Sequence, residues 1–201
     1  MERKEIETAV AENTQFRGLY GVVGGLLAIL AALRNAAWGP FEHEWAFFVG
    51  VIVLGGLTWS VHSFYTTHFG RAKQSARTER RQIVTALIGI PLVIVGSLWL
   101  SSRASWSLNL PVNSTAITLG LVFLLSFGAS VGLRLHHAVI FGGLVVIGAL
   151  PVWERAGESG NTALWMAGIA MIISGVLDHR LLVRRFGPAS ATDSEAERAG
   201  L

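Results

Sequence analysis

The sequence contains no cysteine, and this absence removes several kinds of chemistry at once. Without thiols there is no disulfide framework, no thiolate metal site and no cysteine nucleophile. Any site chemistry must therefore come from the histidines, the serines and the carboxylates. Charged residues are also scarce, at 14% of the chain against about 25% in ordinary soluble domains.

Apolar residues make up 52% of the chain and lie in long runs. Runs of this kind are typical of helices that cross a membrane. The net charge of +3 does not indicate a nucleic-acid partner, because the basic residues lie at the ends of the apolar runs. The first 18 residues are charged, so no cleavable signal peptide is predicted.

Six runs are long enough, or nearly so, to cross about 30 Å of hydrocarbon as a helix. They cover residues 19–38, 45–64, 83–101, 116–133, 138–153 and 162–177. The sequence therefore predicts an all-α fold, a bundle of six transmembrane helices within residues 19–186. Residues 1–18 are predicted to be a cytoplasmic segment compatible with an interfacial helix, and residues 187–201 a disordered cytoplasmic tail.

Basic residues predict the orientation of this bundle. With six spans and the N-terminus inside, only Arg34, Arg103 and Arg155 of the 16 lysines and arginines lie outside. Most of the tryptophans mark the same outer interface. A five-span alternative, without a tight turn at 133–137, would move the C-terminal arginines outside. We therefore predict a multi-pass protein of a bacterial-type plasma membrane, with both termini cytoplasmic and an anionic inner leaflet as a partner.

Small residues predict where the helices touch. Gly-Gly-Leu begins at Gly24–Gly25, Gly55–Gly56 and Gly142–Gly143, in the first, second and fifth spans. Helices in lipid associate by close packing, so tight packing within the bundle is the favoured interpretation and dimerisation the alternative. In the third span, Pro91 cannot donate a helical hydrogen bond and is predicted to kink the helix.

Asp178-His179-Arg180 ends the sixth predicted span. A carboxylate at a helix C-terminus faces the negative end of the helix dipole, so Asp178 is expected to need a cationic partner. Arg134, in the turn between the fourth and fifth spans, is the first candidate, and Arg71 is the second. A structural clamp is the favoured interpretation, and a polar substrate site is the alternative.

Most of the six histidines lie on the predicted inner side: His62, His68, His136, His137 and His179. Imidazole binds metal and haem, but the spacing matches no ligand motif, so no metal or cofactor is predicted. We interpret these histidines as interfacial and in contact with water. His62 is the exception, because it lies inside the second span, and we expect it to hydrogen-bond Ser126, Ser130 or His136.

Gly128-Ala129-Ser130-Val131-Gly132 matches Gly-x-Ser-x-Gly, which in hydrolases forms an elbow between a strand and a helix. Here the motif lies inside a predicted membrane helix. Six spans with a serine on the fourth and a histidine on the sixth, here Ser130 and His179, resemble the rhomboid intramembrane proteases, which would imply a serine hydrolase. The chain departs from the family: Gly-x-Ser-Gly is not met, no Gly-x-x-x-Gly follows His179, and both residues lie at the inner end.

No other pattern indicates a reaction, and no catalytic residue is predicted. No charged residue lies near the middle of a predicted span, which disfavours an ion-coupled carrier. The sequence favours a non-enzymatic accessory or regulatory component of a membrane assembly. The alternative is a permease or channel subunit for an apolar or amphipathic solute. The basic loop at 65–82 is either a topology signal that contacts lipid or a docking site for a cytoplasmic or membrane partner.

Overall fold

The computed structural model describes residues 18–68, 76–96, 99, 112–130, 133–150 and 156–186. Within them we number six α-helices: α1 Leu19–Asn35, α2 Glu44–His68, α3 Ala76–Val84, α4 Ser114–Ser130, α5 Leu135–Ala149 and α6 Ala156–Phe186. A 3-10 turn at Gly39–Glu42 lies between α1 and α2. The described residues contain no strand, so the prediction of an all-α fold is confirmed.

Two helices are long and apolar enough to cross a membrane: α2, over Glu44–His68, and α6, over Gly160–Arg184. Three more are apolar but shorter, namely Leu19–Asn35, Ser114–Ala129 and Leu135–Ala149. Each predicted span overlaps helical residues of the structure. The apolar length that a crossing needs is thus present in two of the described helices.

The third predicted span corresponds to a helix with an irregular middle. After α3, the chain forms a π-helical turn at Thr85–Gly89 and continues as helical residues 90–96. The backbone N–H of Ile90 donates to the Thr85 carbonyl, which is the longer hydrogen bond of a π turn. Such local adjustments let a membrane helix tolerate a proline, here Pro91.

The segment 65–82 is not one long loop, as the sequence suggested. The helix α2 runs to His68 and α3 begins at Ala76, so the stretch is helical at both ends. A helix does not have to end where its apolar run ends, because its polar turns can continue into water or headgroups. The predictions for residues 1–17, 69–75 and 187–201 lie outside the described residues.

Among the described helices, the most extensive contact joins α1 and α6 through glycines. A Cβ atom added at Gly168 would lie 2.8 Å from the carbonyl oxygen of Gly25, and one added at Gly21 would lie 3.3 Å from the Cα of Gly175. The two backbones are therefore in direct contact, and we call this the glycine seam. The predicted internal packing of Gly24–Gly25 is confirmed here.

The helices α4 and α5 form an antiparallel hairpin. Asn113, just before α4, donates its backbone N–H to the carbonyl of Gly148 near the end of α5, at 2.8 Å. At the other end, the Phe127 ring stacks on His137 in the first turn of α5, with centroids 4.1 Å apart. The predicted hairpin is therefore present, but α5 already begins at Leu135, and residues 131–132 lie outside the described residues. Small residues of α4 and α6 pack with Leu144 of α5 to form the core on this side.

The helix α2 lies at the edge of the bundle. Its buried residues, Ala46, Val61 and Tyr65, follow one stripe. On the opposite side, Ile52 and Trp59 expose 73% and 76% of their surface, and no described atom lies within 4 Å of a Cβ added at Gly55 or Gly56. We call Ile52, Gly55, Gly56 and Trp59 the open face.

Within the described part of the chain, two of the three Gly-Gly-Leu predictions find no packing partner. Internal packing was expected at Gly55–Gly56 and at Gly142–Gly143, yet added Cβ atoms at these positions would meet open space among the described residues. The motif specifies a surface onto which another helix can fit closely, but it does not specify that the second helix belongs to the same chain.

Candidate functional site

The site is built around Asp178, which lies inside α6 rather than at its end. The helix continues to Phe186, so the helix-dipole argument for a partner was wrong. Burial supplies the correct reason, because only 2% of Asp178 is exposed. A buried carboxylate is strongly unfavourable unless it is paired and hydrogen-bonded.

Three side chains pair with this carboxylate. Arg134 Nη1 donates to Asp178 Oδ1 at 2.7 Å, and His136 Nε2 lies 3.1 Å from the same oxygen. His137 Nε2 lies 2.9 Å from Oδ2. The expected Arg134–Asp178 ion pair is therefore present, whereas Arg71 lies outside the described residues. We call these four residues the carboxylate cluster.

The start of α5 explains how three closely spaced positions of one segment reach a single carboxylate. Arg134 is the N-cap residue and has an extended backbone, with φ −85° and ψ 157°. His136 and His137 follow in the first helical turn, and their rings lie 4.1 Å apart. The positive end of the α5 dipole favours a negative charge at this place. Asp178 thus docks α6 onto the turn between α4 and α5.

His137 does not contact water, in contrast to the prediction for the inner histidines. It is 3% exposed and packed against Phe127, because the α4–α5 hairpin closes over the first turn of α5. Its Nδ1 has no hydrogen-bond partner among the described residues. This burial could not be predicted from the sequence, because His136 and His137 are neighbours at the end of an apolar run.

The ligand atoms of His136, His137 and Asp178 lie within 4.8 Å of one another, close enough to surround a metal ion. Two features oppose a cation there. The Arg134 guanidinium contacts the same carboxylate, and the positive end of α5 points to it. The arrangement fits a charge-assisted clamp better than a metal centre.

A second cluster lies beside the first, since His179 follows Asp178 in α6. The Tyr65 hydroxyl accepts a hydrogen bond from the backbone N–H of Leu19 at 3.0 Å and lies 3.1 Å from His179 Nδ1. Gly18 supplies no side-chain cap for α1, so a tyrosine of α2 satisfies one of its first N–H groups. Sequence reasoning missed this role, because a tyrosine at the end of a span is usually an interfacial anchor.

His62 has a different partner from those predicted. Its Nδ1 lies 3.0 Å from the Tyr20 hydroxyl, so the expectation of Ser126, Ser130 or His136 was wrong. The reason is the order of the helices: α2 packs on α1, whereas His136 contacts α6. Tyr20 lies near the start of α1 and His62 near the end of α2, which meet when the two helices run antiparallel. This spacing could have predicted the pair.

Two further site residues were predicted. Arg180 is exposed on α6. Ser130 ends α4, and its side chain lies outside the described residues, while His179 is hydrogen-bonded to Tyr65. No family model, curated protein or solved structure matches this chain. Function is therefore argued from the geometry of the chain itself.

Proposed function

We propose that this chain is a six-span protein of a bacterial-type plasma membrane, with both termini in the cytoplasm, and that it serves as a non-enzymatic accessory or regulatory component of a membrane assembly. The single observation that carries the role is the open face of α2. This face, made of Ile52, Gly55, Gly56 and Trp59, is proposed to pack against a membrane helix of a partner protein.

The pattern of exposed apolar surface supports the membrane part of the proposal. Large apolar side chains such as Phe48, Ile52 and Leu92 are 61%, 73% and 70% exposed, which is unfavourable in water and ordinary in lipid. The positions predicted for the inner side also lie together: Tyr65 contacts Leu19 and His179, and Arg134 contacts Asp178. This closeness supports helices that alternate in direction.

The glycines support the partner part. In lipid, helices associate where small residues let two backbones approach, as Gly25 and Gly168 do within this chain. Gly55 and Gly56 offer the same kind of notch without a described neighbour. Trp59, one turn away, lies deep in the predicted span, although tryptophan prefers the interface. A partner helix in the notch would cover both the glycines and this ring.

Photo-crosslinking tests the partner. A photoreactive amino acid at Ile52 in intact membranes should give one discrete protein adduct, and this adduct should disappear when Gly55→Leu fills the notch. Val53 is the matched control, because it is 63% exposed at the same depth but turned by about 100° around the helix. Equal adducts from both positions, or an adduct that survives Gly55→Leu, would contradict the proposal. An adduct of twice the chain mass would replace it with self-association.

Cysteine labelling tests the topology separately. Because the chain has no cysteine, single probes can be introduced without background. Probes at Glu42, Asn109 and Ser159 should react from outside the cell, and probes at Ser75 and Ser190 only after the membrane is opened. Labelling of Ser190 from outside would overturn the six-span count.

A further inference from the structure

A groove of about 640 Å³ lies between α4 and the helical segment that runs from α3 through the π turn. Val93, Leu121 and Leu125 contribute to a lining that is mostly apolar. Its two polar lining residues, Arg81 and Thr85, lie one helical turn apart on α3 and the π turn. The groove therefore has an apolar length and one charged end.

The register of the two helices gives the groove a direction. A Cβ atom added at Gly89 would lie 2.9 Å from Leu125 Cδ2, which fixes the contact near the middle. Arg81 and Leu133 both line the groove beyond one side of this contact, and Val93 and Leu121 line it beyond the other. The charged end thus coincides with the end of α4 that leads into the turn at Arg134.

The length of the groove matches one leaflet of a bilayer. Val93 lies 12 residues after Arg81, which is about 18 Å along a helix, while half of the hydrocarbon thickness is about 15 Å. The π turn lies between these two residues, and such turns are frequent at functional sites in helices. An extended acyl chain fits a groove of this length and polarity.

The charged end of the groove indicates which class of lipid headgroup it can bind. Arg81 is exposed, and within the described part of the chain no carboxylate pairs with it. A guanidinium presents several donors that match a phosphate, and at the headgroup level it attracts anionic lipids. Arg80 precedes it and is also exposed, but it does not line the groove. The neighbouring position thus provides an arginine of equal charge outside the groove.

We propose that this groove binds one anionic phospholipid of the inner leaflet, with an acyl chain along Leu121 and Leu125 and the phosphate at Arg81 and Thr85. The inference rests on the proposed membrane embedding and is independent of the partner at α2. Binding there would fill the gap between α3 and α4.

Native mass spectrometry of the full chain in a neutral detergent tests this site. With defined mixtures of phosphatidylglycerol and phosphatidylcholine, the wild-type chain should retain one phosphatidylglycerol. Arg81→Gln should lower this affinity about fivefold, the effect expected for one arginine near an anionic headgroup, whereas Arg80→Gln should leave it unchanged. Leu121→Trp, which puts bulk into the groove and keeps Arg81, should also remove the bound lipid.

Several results would overturn the site. Equal losses in Arg80→Gln and Arg81→Gln would indicate a diffuse charge effect, and equal retention of phosphatidylcholine would remove the headgroup selection. Competition by inorganic phosphate alone would point to a free anion instead of a lipid. A chain that stays in solution without detergent would refute membrane embedding, whereas wild-type lipid binding by Arg81→Gln in detergent would refute only the groove.

Discussion

In α1, Gly25 lies against the backbone of Gly168 in α6, whereas in α2 Gly55 faces open space among the described residues. Both glycines belong to the same short sequence, Gly-Gly-Leu. The difference comes from the facing helix, because α6 presents Gly168 and Gly175 on one side, seven residues apart. Comparison of the glycine seam with the open face shows that a glycine pair marks a potential helix contact. The surface of the facing helix determines whether that contact forms within the chain.

The largest effect should come from introducing a larger side chain into the glycine seam. Gly168→Leu should destabilise the purified chain by about 3 kcal/mol, because its Cβ would collide with the Gly25 carbonyl oxygen. Gly55→Leu, a matched control on the open face, should change stability by less than about 0.5 kcal/mol. Unfolding of both variants in detergent measures the difference, and equal losses would mean that the two faces do not differ in packing.

A smaller effect is expected where the seam helix α6 docks onto the α4–α5 turn. Asp178→Asn should cost about 2 kcal/mol, because it removes the charge that Arg134 meets at 2.7 Å in a partly buried place. Combination with Arg134→Gln should show a coupling of about 0.5–3 kcal/mol. Arg180→Gln, on an exposed neighbour, is the control and should be near neutral. Simple additivity of Asp178→Asn and Arg134→Gln would exclude the clamp.

The smallest effects concern the two tyrosines between α1 and α2. Tyr65→Phe should cost about 1 kcal/mol, because the N–H of Leu19 loses its acceptor in a partly buried place. Tyr20→Phe should cost about 0.6 kcal/mol or less, since it loses only the hydrogen bond to exposed His62. Unfolding in detergent compares the pair, and a larger loss for Tyr20→Phe would reverse the ranking of the buried and the exposed contact.

The sequence was sufficient for the elements of the fold and for one pair in the site. Each predicted apolar run overlaps described helical residues, because a long apolar run is typical of a helix. The ion pair between Asp178 and Arg134 was predicted from the helix dipole, because a carboxylate at a helix C-terminus faces the negative end of that dipole. The stated reason was wrong, since α6 continues to Phe186, but the same partner follows from burial.

What the sequence could not provide were the properties that depend on how two helices cross. His136 and His137 join Asp178 only because the first turn of α5 lies against α6. The partner of His62 depends on α1, and not α4, being its neighbour. Residue spacing along one helix defines its faces, but it contains no information about which other helix occupies each face.

The glycine seam joins the first described helix to the last, and this has a consequence for how the protein is made. During synthesis α1 emerges long before α6, so the surface of Gly21 and Gly25 has no contact with α6 until α6 has been translated. In the same way, Arg134, His136 and His137 have no contact with Asp178 until α6 is made. The contacts of α6 with α1 and with the α4–α5 turn can therefore form only late in synthesis, and a chain stalled before α6 would present both uncovered surfaces to the chaperones and proteases of the cell.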